Sequence, residues 1–404
     1  MLALLVVSEI DASHAAEAPP NPLAALERAL AERPDDAVLA YFLALYRSRA
    51  GDRDGAIAAL EQTLAHGRGF LPPLDQFDAL NDDRRFAVLR ARFEQRLPVK
   101  TDGRVAFTLP DSRMLPEGIA YDPVARAFYV GSLAQNAVYR ILPTGKPQRL
   151  SRTGDALDAV LGIAIDGAAR KLYAVSTSAL TEAGRVKPRN AIKVYDLSRG
   201  RLERTIDVPA ARQLNDVALV PNGRLLVTDS AGGGVWRVDL STGVVQALVP
   251  LDGARGANGI AVVPSGDVAY VAAARRPLRL DIASGALLPL ELPPGENAAA
   301  IDGLYWHDGA LIGIQNATTP ARVVRLKLAG DGRSIVSVET LQSHHQRAFT
   351  EPTTAAIAPD GLYVLARTQV SLFNDRGLID RPETLEPPLI LRIPLGTSKH
   401  PAAQ

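Results

Sequence analysis

Six times between residues 117 and 368 the chain repeats one pattern: a leading residue, usually Gly or a small polar residue next, an apolar alternation, a tight turn and a second apolar run. The clearest copy is Asn258-Gly259-Ile260-Ala261-Val262-Val263-Pro264-Ser265-Gly266, followed by Asp267-Val268-Ala269-Tyr270-Val271. The copies lead with Glu117, Leu161, Asn215, Asn258, Asp302 and Thr353. Their turns fall at similar offsets, as in Asp122-Pro123, Asp166-Gly167, Pro221-Asn222-Gly223 and Asp308-Gly309. Such a period constrains architecture more tightly than local propensity does, because each copy must build the same unit and cover its faces with its neighbours.

In the first five copies two further short runs follow the first pair, for example Ala137 to Leu142 and Gln148 to Ser151. Apolar residues alternate with period two, so each repeat predicts four antiparallel strands, one propeller blade. The leading residues stand 44, 54, 43, 44 and 51 residues apart, close to the roughly 40 to 50 residues that a blade requires. The predicted fold is an all-β six-bladed β-propeller over residues 101–395. The sixth copy has a third strand, Leu389 to Leu395, but the chain ends before a fourth. Arg104-Val105-Ala106-Phe107-Thr108-Leu109 is a spare strand ahead of the first copy, and pairing the two closes the ring without an exposed edge.

Before residue 98 the period is helical. Leu23, Leu26 and Leu30, then Leu39, Phe42, Leu43 and Tyr46, lie three and four apart. Residues 21–98 therefore predict a small all-α module, and Ala37 to Leu64, turning at Gly51-Asp52, resembles one tetratricopeptide unit. One unit cannot bury its own face, so it must pack on the propeller or on a protein partner. Residues 1–20 read as a leader: Met1 to Val7 is apolar, and Ser13-His14-Ala15 is a small-x-small triplet. That reading favours a periplasmic or secreted protein, with a cytoplasmic one as the alternative. Residues 396–404 form a tail.

Charge excludes some partners. Lys and Arg total 45 against 44 Asp and Glu, without a like-charged block, so neither a nucleic-acid groove nor a polybasic membrane patch is expected. No stretch is long and apolar enough for an integral membrane segment. With no Cys, thiolate metal sites and cysteine nucleophiles are out. A small-molecule substrate is the expected partner.

If first strands line the axis, the six leading residues share one mouth of the tunnel. Five carry oxygen. Carboxylates crowded against other acceptors must be protonated, hydrated or matched by a cation. Two carboxylates, two amides and a hydroxyl suit a hard divalent ion such as Ca2+, whereas zinc or copper wants His or Cys.

The openings Pro116-Glu117-Gly118-Ile119, Leu214-Asn215-Asp216-Val217, Ala257-Asn258-Gly259-Ile260, Ile301-Asp302-Gly303-Leu304 and Glu351-Pro352-Thr353 resemble those of the gluconolactonase and senescence-marker-protein family, relatives of the paraoxonases. The resemblance covers residues 101 to 395. It implies a six-bladed propeller with one divalent ion, usually Ca2+, at the mouth. Glu117, Asn258 and Asp302 would be metal ligands, with Asn215 a ligand or a substrate contact. Two positions depart from the pattern: Gln213 stands where many gluconolactonases have a sugar-binding Arg, and Leu161 where paraoxonases place a basic His.

The expected function is metal-dependent hydrolysis of a lactone or related ester, with Asp302 as the catalytic base by resemblance and Asp216, from the next shell, as the second choice. Thr353, His344 and His345 are candidate substrate contacts, the two histidines lying ahead of the sixth blade on the mouth face. Two long connections on that face, Ser176 to Asn190 and Arg367 to Pro388, are expected to cover it. A non-catalytic propeller that binds a protein or a small ligand, with the helical module as its handle, is the alternative.

Overall fold

The change of hydrophobic period near Pro98 is a change of structure. A computed structural model describes residues 22–181, 187–316 and 320–396. It begins with helices α1 (Pro22–Glu32), α2 (Ala37–Arg49), α3 (Arg53–His66) and α4 (Arg84–Glu94). The leader read in residues 1–20 and residues 397–404 of the tail lie outside the described residues. Asp36, Asp52 and Asp83 cap α2, α3 and α4, accepting the amides of Leu39, Gly55 and Arg85, a bond that each helix start requires because its first N–H groups lack a partner. Helix α2 buries residues on every side. Tyr41 packs against Phe42, Phe70 and Phe77, and the apolar cluster of the helices reaches Ala274 in the propeller. Among the described residues no helix is long and apolar enough to cross a membrane.

Strands fill the remainder, in six four-stranded antiparallel sheets. The blades open with Pro116–Asp122, Ala159–Asp166, Leu214–Val220, Ile260–Val262, Ile301–His307 and Ala355–Ala358. These innermost strands pack side by side around the axis, and apolar clusters fill the space between successive sheets. The turns carry residues that tolerate left-handed backbone. Asp308 and Gly309, with φ of 53° and 77°, join the paired residues His307 and Ala310 in the two-residue hairpin that an Asp-Gly pair favours.

Blade 6 is closed by the spare strand. Arg104–Thr108 pairs antiparallel with Leu389–Ile393, Arg104 opposite Arg392 and Thr108 opposite Leu389. The sheet thus joins the two ends of the propeller. Neighbouring blades are also tied by charge. Fully buried Asp122, at the first turn of blade 1, accepts Arg170 of blade 2 at 2.6 Å and the amides of Val124 and Ala125. Burial acts to raise its carboxyl, but the guanidinium and the amides outweigh it and hold the group below its ordinary range.

The helices sit on the mouth face, over the loops of blades 4 to 6. Arg275 pairs with Asp36, the Arg68 amide donates to the Gly295 carbonyl at 2.8 Å, and Glu94 meets His344 and His345. Arg275 therefore holds the residue that caps the start of α2.

Candidate functional site

Four of the six first strands reach the mouth through a local irregularity. In blades 1, 2, 3 and 5 the register with the second strand slips between Pro116 and Ile119, Val160 and Ile163, Leu214 and Val217, and Ile301 and Leu304. The slip spans the leading residue and its successor, so the extra residue of each bulge falls at the mouth end of its strand, where bulges re-aim side chains. The successor is Gly in four blades because the next strand passes too close for a side chain. A Cβ at Gly118 would lie 1.9 Å from the Leu161 carbonyl oxygen, and one at Gly259 would lie 2.4 Å from that of Asp302.

Blades 3 and 6 break this rule with Asp216 and Thr354. A Cβ on Gly162 would lie 2.8 Å from Asp216 Oδ1, so the missing side chain in blade 2 makes room for that carboxylate. Asp216 lines an axial cavity of about 320 Å³ together with Gly118, Gly162, Tyr305 and Thr354. The sequence assigned it to a second layer; it faces the tunnel instead. Its oxygens accept the amides of Val217 at 2.8 Å and Ile260 at 3.0 Å, a bridge from blade 3 to blade 4.

The leading residues gather carboxylates and amides. Glu117 is buried, and its Oε2 has no hydrogen-bond partner. Asp302 accepts Asn316 Nδ2 at 2.5 Å and also the Asn258 amide. Asn215 donates to Ser230 Oγ at 2.8 Å, which leaves its amide oxygen uncommitted. Thr353 and Thr354 both donate to the Glu117 carbonyl, so Thr353 spends its hydroxyl on the closing seam between blades 6 and 1.

Electrostatics show that the ring is crowded with negative charge. Burial pushes Asp216 up to about 6, with the Ile260 and Val217 amides pulling the other way. Burial also raises Asp302, helped by Asp216 and Glu351 and opposed by the bonds from Asn316 and Asn258. Glu117 is raised well above the ordinary carboxylate range, first by burial and then by Asp302 and Asp216. Buried carboxylates so placed hold protons or a cation.

Leu161 departs from the ring. It belongs to an apolar cluster that takes in Leu180, from the connection after the second strand of blade 2, and Val370 and Phe373, from the long connection of blade 6. Gly377 of the second connection abuts Thr181 of the first, so the two meet on the mouth face. Residues 182–186 of the first lie outside the described residues. The mouth is thus two-sided, with a polar arc from Glu117 through Asn215, Asn258 and Asp302 and an apolar wall at Leu161.

His344 and His345 bond elsewhere. Their Nε2 atoms each lie 3.0 Å from Glu94 Oε1, and His345 Nδ1 meets Ser343 Oγ, so both rings engage α4 and the segment ahead of blade 6. Among the described residues, the one set of three His, Asp or Glu side chains with ligand atoms within 4.8 Å of one another is Glu94, His344 and His345.

Three residues at the site escaped the sequence reading. Asn316 follows the second strand of blade 5 and anchors Asp302. Glu351 lies two residues before a leading residue, accepts the Ser371 amide at 2.8 Å and is raised by burial. Tyr305 accepts the Ala355 amide at 2.6 Å, and burial, then Asp216, keeps its phenol protonated. A polar residue at the mouth end of a second strand was a usable signal for Asn316; Tyr305 lies in an ordinary apolar alternation and gave none.

A six-bladed propeller with a carboxylate-lined mouth is the class that fold and site define. No protein-family model matches the sequence, and no curated protein is found similar to it. Solved structures share the fold. The allergen Mala s 1 of Malassezia sympodialis is 14% identical, with 75% of this chain and 99% of that one covered at a TM-score of 0.56. A gluconolactonase of Xanthomonas campestris is 17% identical over 73% of this chain and 97% of its own, at 0.48. An aldose sugar dehydrogenase of Streptomyces coelicolor is 16% identical over 72% and 96%, at 0.49. At such identities the likeness is one of fold, and the named activities of these proteins differ from one another.

Proposed function

We propose that the mouth binds Ca2+ or another hard divalent cation and that the protein hydrolyses a lactone or related ester there. One observation carries the proposal: buried Glu117 lies close to half-buried Asp216 and Asp302, each raising its affinity for a proton, and Glu117 Oε2 has no partner. An all-oxygen donor set fits a hard cation. Glu117, Asn258 and Asp302 would hold it, joined by Asn215, whose amide nitrogen is already used on Ser230. Such an ion, when bound, polarises a carbonyl and stabilises developing negative charge.

The chain's own side chains supply the remainder. Asp302, oriented by Asn316 and Asn258, accepts a proton from the attacking water, and its raised affinity for protons suits a base working near neutral pH. The same proton then goes to the ring oxygen that leaves as the ester C–O bond breaks. Asp216 is the second candidate for that proton. Tyr305, protonated beside the carboxylates, is placed to donate a hydrogen bond. Leu161, Leu180, Val370 and Phe373 favour a lactone with an apolar substituent over a bare sugar lactone, in keeping with Gln213 in place of an Arg. The helices, read as a tetratricopeptide-like unit, would wall one side of the mouth and spend on the propeller the face that a protein partner would otherwise take.

The test is metal content and hydrolysis of a lactone and ester panel before and after chelation. Asp302→Asn should lower turnover about a hundredfold to ten-thousandfold, the usual contribution of a general base, with the melting temperature retained. Failure of Ca2+ to change either stability or activity would refute the metal. Binding of Ca2+ without hydrolysis of any panel member would favour a non-catalytic propeller.

A further inference from the structure

Away from the tunnel, three metal-capable side chains converge where α4 docks. Glu94 ends α4, and its Oε1 lies 3.0 Å from the Nε2 of both His344 and His345. The two imidazoles overlap, with centroids 4.1 Å apart, so both Nε2 atoms address one point.

Hydrogen-bond accounting behind His345 says what belongs at that point. Ser343 Oγ accepts the Lys100 amide at 3.0 Å and directs its own proton to the Lys100 carbonyl, also at 3.0 Å. Its remaining lone pair faces His345 Nδ1 at 3.0 Å. In this network His345 carries its hydrogen on Nδ1, and as a neutral ring it turns a bare Nε2 lone pair toward the Glu94 carboxylate. Two acceptors at that distance repel unless a proton or a metal cation joins them, and the neutral ring leaves the place to the metal. His344 Nδ1 is buried without a hydrogen-bond partner, so that ring is held by its overlap with His345 and by what its Nε2 meets.

Two imidazoles and a carboxylate form a ligand set for zinc-class ions, and a hydroxyl behind one imidazole is the supporting bond that such ligands use. The side chains of His344, His345 and Glu94 keep 24%, 25% and 36% of their surface exposed, which leaves a route for the ion and room for water as a further ligand. Nitrogen donors separate this site from the all-oxygen mouth.

We infer that Glu94, His344 and His345 bind a zinc-class divalent ion that pins α4 to the segment between blades 5 and 6. The inference is independent of the hydrolase proposal. The full-length chain, stripped with chelator, should take up one Zn2+ with a rise in melting temperature, and Co2+ in its place should give visible d–d absorption. His345→Ala and His344→Ala should each weaken Zn2+ binding at least tenfold, a loss seen even for residues that only support metal ligands, whereas Glu117→Gln should leave it unchanged. Should the histidine variants fail to fold, X-ray absorption of the zinc-loaded wild type should still show two nitrogen donors. The inference is overturned by a melting temperature that ignores Zn2+, by binding that survives His345→Ala, or by a cluster that responds to pH and not to metal.

Discussion

Asp216 sets the sign of the pH dependence. Folded, it holds its proton up to about pH 6, against an unfolded value near 3.8. Its stabilising contribution is therefore complete below about pH 4 and is lost as pH rises through 6. The shift corresponds to at most about 3 kcal/mol, and Glu117 and Asp302 act in the same direction. Thermal melts of chelated protein should show stability falling from pH 4 to 6, and Asp216→Asn should flatten the fall. Saturating Ca2+ favours the ionised forms, so it should reverse the slope. Asp122 behaves oppositely. Arg170 and two amides hold it low, so its contribution is present above about pH 4 and disappears in acid, and Asp122→Asn should reduce the acid sensitivity of the melt.

The opening of each blade divides its work between two neighbouring positions. The leading residue carries a polar side chain in five of the six copies, and the glycine after it in four blades lets inner strands approach to backbone contact. Gly118→Ala would place a methyl 1.9 Å from a carbonyl oxygen and should destabilise by about 3 kcal/mol or more, at the upper end of overpacking costs. Gly223→Ala meets nothing within 4 Å and should cost only the left-handed backbone penalty of about 1–2 kcal/mol. Denaturant unfolding of the two variants checks the difference. Asp216 and Thr354 show what happens where the glycine is replaced: the side chain enters the tunnel or closes a seam. Their positions in the repeat were visible in the sequence, but the direction in which they point was not, because the register slip at Asp216 and the bond from Thr354 to the Glu117 carbonyl are set by the strands they face.

The helices and the propeller are joined by ion pairs and hydrogen bonds, among them the largely enclosed pair of Arg275 and Asp36. Arg275 and Asp36 keep only 12% and 15% of their side-chain surface, and removing one partner leaves the other charge partly desolvated, at a cost below the roughly 3–5 kcal/mol of a fully buried pair. Arg275→Ala should therefore lower the melting temperature of the helices, and calorimetry should separate their transition from that of the propeller. The sequence by itself determined the blade count, the strand pairing that closes the ring at Arg104–Thr108 and Leu389–Ile393, and the identity of the six leading residues, since all of these follow from local period and turn chemistry repeated in order. Only the tertiary structure decided that Asp216 faces the axis, that Leu161 joins an apolar wall with Val370 and Phe373, and that His344 and His345 turn to Glu94. Each depends on which distant segments pack together, and period-two or period-3.6 patterning carries no information about a partner some 250 residues away.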